Sequence, residues 1–141
     1  MRAVFDTNVL VRATFSKESN PDRLVKAWQR GEFELVTSPP LLAELDAVLR
    51  RPGIQRRLGW TDEETTAFVL ILAEGAIVVS PSQKLEVVRD EDDNRVVEAA
   101  IEGAADYIVT ADEDLLSLGG YAGIQIVTPA RLVAVLTASA G

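Results

Sequence analysis

Short apolar runs rich in valine and isoleucine recur along this chain, and stretches with helical spacing lie between them. The runs fall near residues 2–6, 33–37, 76–79, 106–110 and 124–127. Strands that alternate with helices are joined by crossover connections, which predicts βαβ units and a mainly parallel sheet. The expected fold is therefore α/β, with a mainly parallel sheet of five strands. A chain of 141 residues is most simply one domain, 1–141, burying about two-thirds of the surface its unfolded form exposes. Its unbroken apolar stretches are far shorter than a membrane span, so no membrane association is expected. Strand-like sequence begins almost at Met1, with no signal peptide visible before it.

Helix boundaries are marked by local chemistry. Asn20-Pro21 predicts an N-cap followed by proline at the first helical position, with Gly31 as the stop. Ser38 before Pro39 starts a helix that ends before Pro52. Thr61 and Glu64 have capping-box spacing, and Gly75 closes the helix they open. The run Asp90–Asp93 leads into a helix ending near Gly103, and Thr128-Pro129 opens a last one. Trp28 and Trp60 read as packing residues.

Cysteine and histidine are both absent. Disulfides, thiolate sites, histidine-based triads and the usual nitrogen- or sulfur-ligated zinc sites are thereby excluded. The lack of cysteine fits a reducing cytoplasm. Chemistry must run on carboxylates, hydroxyls, amines and water. The net charge of −8 opposes broad nucleic-acid binding, which is normally driven by lysine and arginine. The balance is uneven, however: Arg50, Arg51, Arg56 and Arg57 cluster, and Asp90, Glu91, Asp92 and Asp93 are consecutive acids. Bound cations would offset part of that negative charge.

The positions of certain acids carry the functional signal. Asp6 follows the first apolar run, and Asp112 sits just past Tyr107-Ile108-Val109-Thr110. If those runs are neighbouring parallel strands, both acids reach the crevice at the strands' carboxyl ends, where open α/β sheets bind ligands. Either could equally cap the short helix after it, Val9–Thr14 or Leu115–Leu118. Asp93 is more telling. At 100° per residue it shares a direction with Val97, Ala100 and Ala104, flanked by Val96 and Ile101. Asp92 and Asn94 point to either side, and Arg95 and Glu98 are expected to face solvent. A carboxylate on a buried midline is costly unless paired or metal-bound, and a helix N-terminus offsets only about 0.3–2 kcal/mol. Glu44 and Asp46 border the stripe Leu41, Leu42, Leu45, Val48 and Leu49 from opposite sides. The helical wheel does not choose between them.

Two carboxylates about 4 Å apart repel by roughly 4 kcal/mol at an effective dielectric of 20. Several together take up protons or recruit cations. Without histidine or thiols, oxygen ligands favour Mg²⁺ or Mn²⁺. Such ions activate water and stabilise charge on a phosphate, with no need for a protein nucleophile.

Here a family resemblance is plain. Val4-Phe5-Asp6-Thr7-Asn8-Val9-Leu10 resembles the opening motif of PIN-domain nucleases, and Ser38-Pro39-Pro40-Leu41-Leu42-Ala43-Glu44-Leu45 is similar to the helix carrying the family's second acid. Asp90-Glu91-Asp92-Asp93-Asn94-Arg95 resembles the third motif, and Ala104–Leu115 is a close match to the fourth. The resemblance implies a three-layer, Rossmann-like α/β/α sandwich and Mg²⁺- or Mn²⁺-dependent cleavage of RNA. It implies Asp6, Glu44, Asp93 and Asp112 as a metal-binding catalytic quartet, selecting Glu44 over Asp46. Asn8 and Thr110 would orient ligands or water, and Asp114 would be auxiliary. Asp92 is the residue most easily confused with Asp93, which the midline favours. Many compact PIN proteins are toxins of toxin–antitoxin pairs, which implies a protein antitoxin as partner and a homodimer.

Two other readings compete. In the first, Asp6 is the nucleophile of a phosphatase or phosphotransferase of the haloacid-dehalogenase-like kind. Those enzymes place a second aspartate where this chain has Asn8, and need a lysine where Lys84 is the only one beyond residue 26. In the second, the chain is a metal- or RNA-binding domain that does not cut.

Overall fold

The computed structural model describes residues 1–140. In chain order its elements are β1 (Arg2–Phe5), α1 (Thr7–Phe15), α2 (Asn20–Gln29), β2 (Glu34–Thr37), α3 (Pro39–Leu49), α4 (Pro52–Leu58), α5 (Asp62–Gly75), β3 (Ile77–Val78), α6 (Glu91–Glu102), β4 (Tyr107–Val109), α7 (Glu113–Leu118), β5 (Gly120–Tyr121), β6 (Ile124–Val127) and α8 (Pro129–Ala140). The strands form a six-stranded sheet in the order β3-β2-β1-β4-β6-β5. Every neighbouring pair is parallel except β5 with β6. Each of the five apolar runs forms a strand. The sixth, β5, is a correction to the expected count: it turns back on β6 through Ala122 (φ 50°) and Gly123 (φ 83°).

Alternation along the strands divides the core into two layers. Ala3, Phe5, Leu35 and Val109 pack with Leu24 of α2, Leu45 of α3, Leu72 of α5 and Leu132 of α8. Val4, Val36, Ile108 and Ile126 face the other way, onto Val96, Val97 and Ala100 of α6 and Leu115 of α7. Each fully buried leucine, isoleucine or valine contributes about 1.5–3 kcal/mol relative to exposure. Helices on both faces of a mostly parallel sheet give the expected α/β/α sandwich. Among the described residues no helix is long and apolar enough to cross a membrane.

Helix ends follow the expected chemistry with some corrections. The Thr61–Glu64 capping box forms with both reciprocal hydrogen bonds, each 3.1 Å. Ser19, one residue earlier than Asn20, caps α2 by accepting from the Asp22 amide. Gly75 does not end α5 by a left-handed turn. It is the last helical residue, and a Cβ there would sit 2.9 Å from the Trp28 ring, so the glycine makes room for the tryptophan. Arg56 and Arg57 of the arginine cluster lie on an additional helix, α4, with Pro52 in its first turn and the left-handed Gly59 (φ 69°) at its end.

The strand order fixes where a site can form. From β1 the chain steps outward through β2 and β3, then returns to place β4 on the other side of β1. This reversal opens a crevice beyond the carboxyl ends of β1 and β4. Phe5 is in register with Val109, and the Asp6 amide donates to the Val109 carbonyl at 2.9 Å, so Asp6 and Thr110 emerge side by side.

Candidate functional site

Thr110 ties the two strand ends together. Its buried hydroxyl donates to Asp6 Oδ2 at 2.8 Å and accepts from the Asp112 amide at 2.9 Å. Asp6 is 7% exposed. It begins α1 without a side-chain capping bond. Asp112 does cap α7, accepting from the Leu115 amide at Oδ1 (3.1 Å). Capping engages one oxygen and leaves the other uncommitted.

α6 brings Asp93 to the same crevice. Asp90 caps this helix, accepting from the amides of Asp92 and Asp93. Asp93 is buried beside Val96 and Val97 at the start of the apolar face, whereas Asp92 is exposed. Burial pushes the Asp93 carboxyl up to about 7, reinforced by the charges of Asp112, Asp6, Asp90 and Asp114. Burial also raises Asp6, and Asp112 adds to the rise, while the Thr110 hydroxyl opposes it.

Glu44 and Asp46 take different environments. Asp46 forms an ion pair with Arg50 at 3.2 Å, away from the crevice. Glu44 is half-buried, and burial raises its pKa against the opposing Thr7 hydroxyl, with further upward pushes from Asp92, Asp6 and Asp90. Asn8 is exposed on α1 and lines a cleft with Asp6 and Asp112. Asp114 pairs with Arg89 at 3.3 Å on the surface.

Asp6, Asp93 and Asp112 act on one another electrostatically at the carboxyl ends of β1 and β4, and Glu44 is reached by the charge of Asp6. Among the described residues, no three acids already stand in an arrangement that would hold a single ion. The donor set itself is oxygen-only and crowded. That composition suits Mg²⁺ or Mn²⁺ and does not suit a soft metal.

The helical wheel missed the far side of α6. Glu98, expected to face solvent, is 6% exposed, and Arg95 is half-buried and donates to it at 2.8 Å. The reason is the segment before α6, which folds back over the helix. Glu102 accepts from the Ser82 amide, Glu98 from Leu85, and Asn94 from both Val87 and Val88. Asn94 also donates to the Val88 carbonyl at 2.9 Å. The four-residue spacing of Asn94, Glu98 and Glu102 puts them on one helix face. It is the only sequence signal for this latch, which fixes the approach to Asp90 and Asp93.

Comparison with known proteins agrees with this architecture. A family model for the PIN domain matches residues 2–114, and the chain belongs to the PIN-domain family. An uncharacterized protein of Methanocaldococcus jannaschii is 28% identical over 118 residues, which span 84% of this chain and 75% of that protein. The fold is similar to VapBC2 from Rickettsia felis, solved bound to a DNA fragment from their promoter, with a TM-score of 0.61 at 17% identity, covering 91% of this chain and 98% of that one. VapBC-1 from nontypeable Haemophilus influenzae gives a TM-score of 0.62 at 15% identity, covering 92% and 99%.

Proposed function

We propose that this protein is a metal-dependent endoribonuclease in which Asp6, Glu44, Asp93 and Asp112 hold Mg²⁺ or Mn²⁺. The observation that carries the reading is the crowding of carboxylates, two of them buried, at the carboxyl ends of β1 and β4. When bound, the metal supplies positive charge to the scissile phosphate and lowers the pKa of a water. The chain's own residues would set the geometry. Thr110 fixes one Asp6 oxygen. The Asp112 cap bond similarly fixes one oxygen of that carboxylate. Asp93 must give up its proton to become a ligand, so occupancy of the site is linked to pH. Asn8 is placed to orient water or phosphate, Asp114 is auxiliary, and Asp92 remains outside the ligand set. Hydrolysis would add water across one phosphorus–oxygen bond: the water oxygen joins phosphorus and the leaving oxygen takes a proton.

The likeness to two VapBC structures supports a further reading as the toxin of a toxin–antitoxin pair, silenced by a protein antitoxin. A homodimer and a cytoplasmic location belong to the same reading. The test is cleavage of a mixed RNA pool with Mn²⁺ or Mg²⁺. Asp6→Asn and Asp93→Asn are each expected to lower the rate by about 10²–10³-fold, the scale for removing a preorganised electrostatic contact. Metal-dependent cutting that persists in both variants contradicts the assignment. RNA that binds but stays intact leaves a non-catalytic binding domain.

A further inference from the structure

The arginines at 50–57 have unlike environments. Arg50 is committed to Asp46, Asp62 and Thr66. Arg56 donates to its own helix at the Pro52 carbonyl, and Arg57 lies 4.2 Å above the Phe15 ring. Arg51 has no acidic partner among the described residues, and neither does Arg12 on α1. Both line a cleft of about 440 Å³ that reaches Asp6, Asn8 and Asp112. Its apolar lining comes from Val11 and Phe15 of α1, Val48 of α3 and Ile54 of α4.

An occupant of this cleft has to satisfy three surfaces at once. One wall offers free guanidinium groups, whose planar forks match phosphate oxygens. The lining offers apolar and aromatic area. The far end offers carboxylates that accept an anion only through bound cations. The volume lies in the range of small-ligand sites and suits a single nucleotide. A nucleic-acid strand supplies phosphates and flat bases in alternation. The base must be unstacked to reach the lining, which selects a single strand over a duplex.

We propose that this cleft is the subsite for the nucleotide next to the scissile phosphate of a single strand. Arg12 and Arg51 hold the neighbouring phosphate, and the base rests on Ile54 and on the part of Phe15 that Arg57 leaves open. The location of the scissile phosphate rests on the nuclease reading; the strand-binding role of the arginines does not.

The experiment measures binding apart from cutting. A short fluorescent single-stranded RNA is titrated with Asp93→Asn protein in Mn²⁺ between about 50 and 200 mM salt. Arg12→Ala and Arg51→Ala are then added singly to that background. Each is expected to weaken binding roughly tenfold and to reduce the salt slope by about 0.7. Arg23→Ala, in a separate cavity between α2 and α8, is expected to change neither. Unchanged RNA binding in both arginine variants overturns the proposal, and so does an equal loss of binding in Arg23→Ala. Arginine-dependent binding of an acidic peptide, with no binding of RNA, identifies a protein-docking groove and also overturns it. Arginine-dependent RNA binding by a protein that cuts nothing supports the subsite while removing the nuclease reading.

Discussion

Asp22 and Asp93 are buried almost equally, at 9% and 7% exposure, and each lies in the first turn of a helix. Their carboxyl groups nevertheless shift in opposite directions. Asp22 accepts the Glu18 amide at 2.8 Å and pairs with Lys26 at 3.0 Å. The amide, then Lys26, holds it below its ordinary value against the cost of burial. Asp93 has burial and four like-charged neighbours, and is pushed up to about 7. Exposure is similar in the two regions, but the Asp93 carboxyl lies deeper, and the partners differ. A buried carboxylate supplied with donors serves the fold, whereas one surrounded by other carboxylates is suited to a cation.

Exchanging each aspartate for asparagine separates the two cases. In chelator, Asp22→Asn is expected to destabilise by about 1–3 kcal/mol, because charge-assisted hydrogen bonds are lost. RNA cleavage should survive it. Asp93→Asn should move the other way, raising stability in chelator and reducing the gain from Mn²⁺. Denaturant titrations with and without metal read both signs. Destabilisation by Asp93→Asn of the size seen for Asp22→Asn would dissolve the contrast.

The pH dependence has a definite sign. In chelator, folded Asp93 keeps a proton that the unfolded chain has already lost between the ordinary 3.8 and about 7. Stability from this group therefore falls as pH rises through that window. Asp22 acts oppositely: its contribution is present above the ordinary value and is lost as pH falls through its lowered folded value. Melting profiles across pH should show a decline towards neutrality that Asp93→Asn flattens. Asp22→Asn should instead flatten the acid-side loss.

How far the sequence could be read follows from which signals are periodic. Five strands were legible because each lies in a short apolar run rich in valine and isoleucine, set between helical stretches. β5 was not, since Gly120 and Tyr121 form no run and pair only because a tight turn folds them onto β6. α4 carried readable ends in Pro52 and Gly59, but none of its residues is fully buried, so no apolar stripe announced it. Asp93 was legible from its place on a helical midline. Glu98 was misplaced because a non-periodic segment covers it, and helical geometry carries no information about what folds over a helix. Glu44 and Asp46 looked alike on the wheel. They part only through Arg50, which sits one turn beyond Asp46 and claims it. Arg12 drew no attention as a lone cation on a short helix, until the turn into α4 set Arg51 in the same cleft.

The central claim is that the crowded carboxylates, with Asp93 holding a proton near neutrality, exchange that proton for a divalent cation. Calorimetric titration with Mn²⁺ at pH 6, repeated in buffers of different ionisation enthalpy, tests it directly. Binding is expected to release about one proton in the wild type and markedly less in Asp93→Asn. Absence of Mn²⁺ binding, or binding with the same proton release in both proteins, would contradict it.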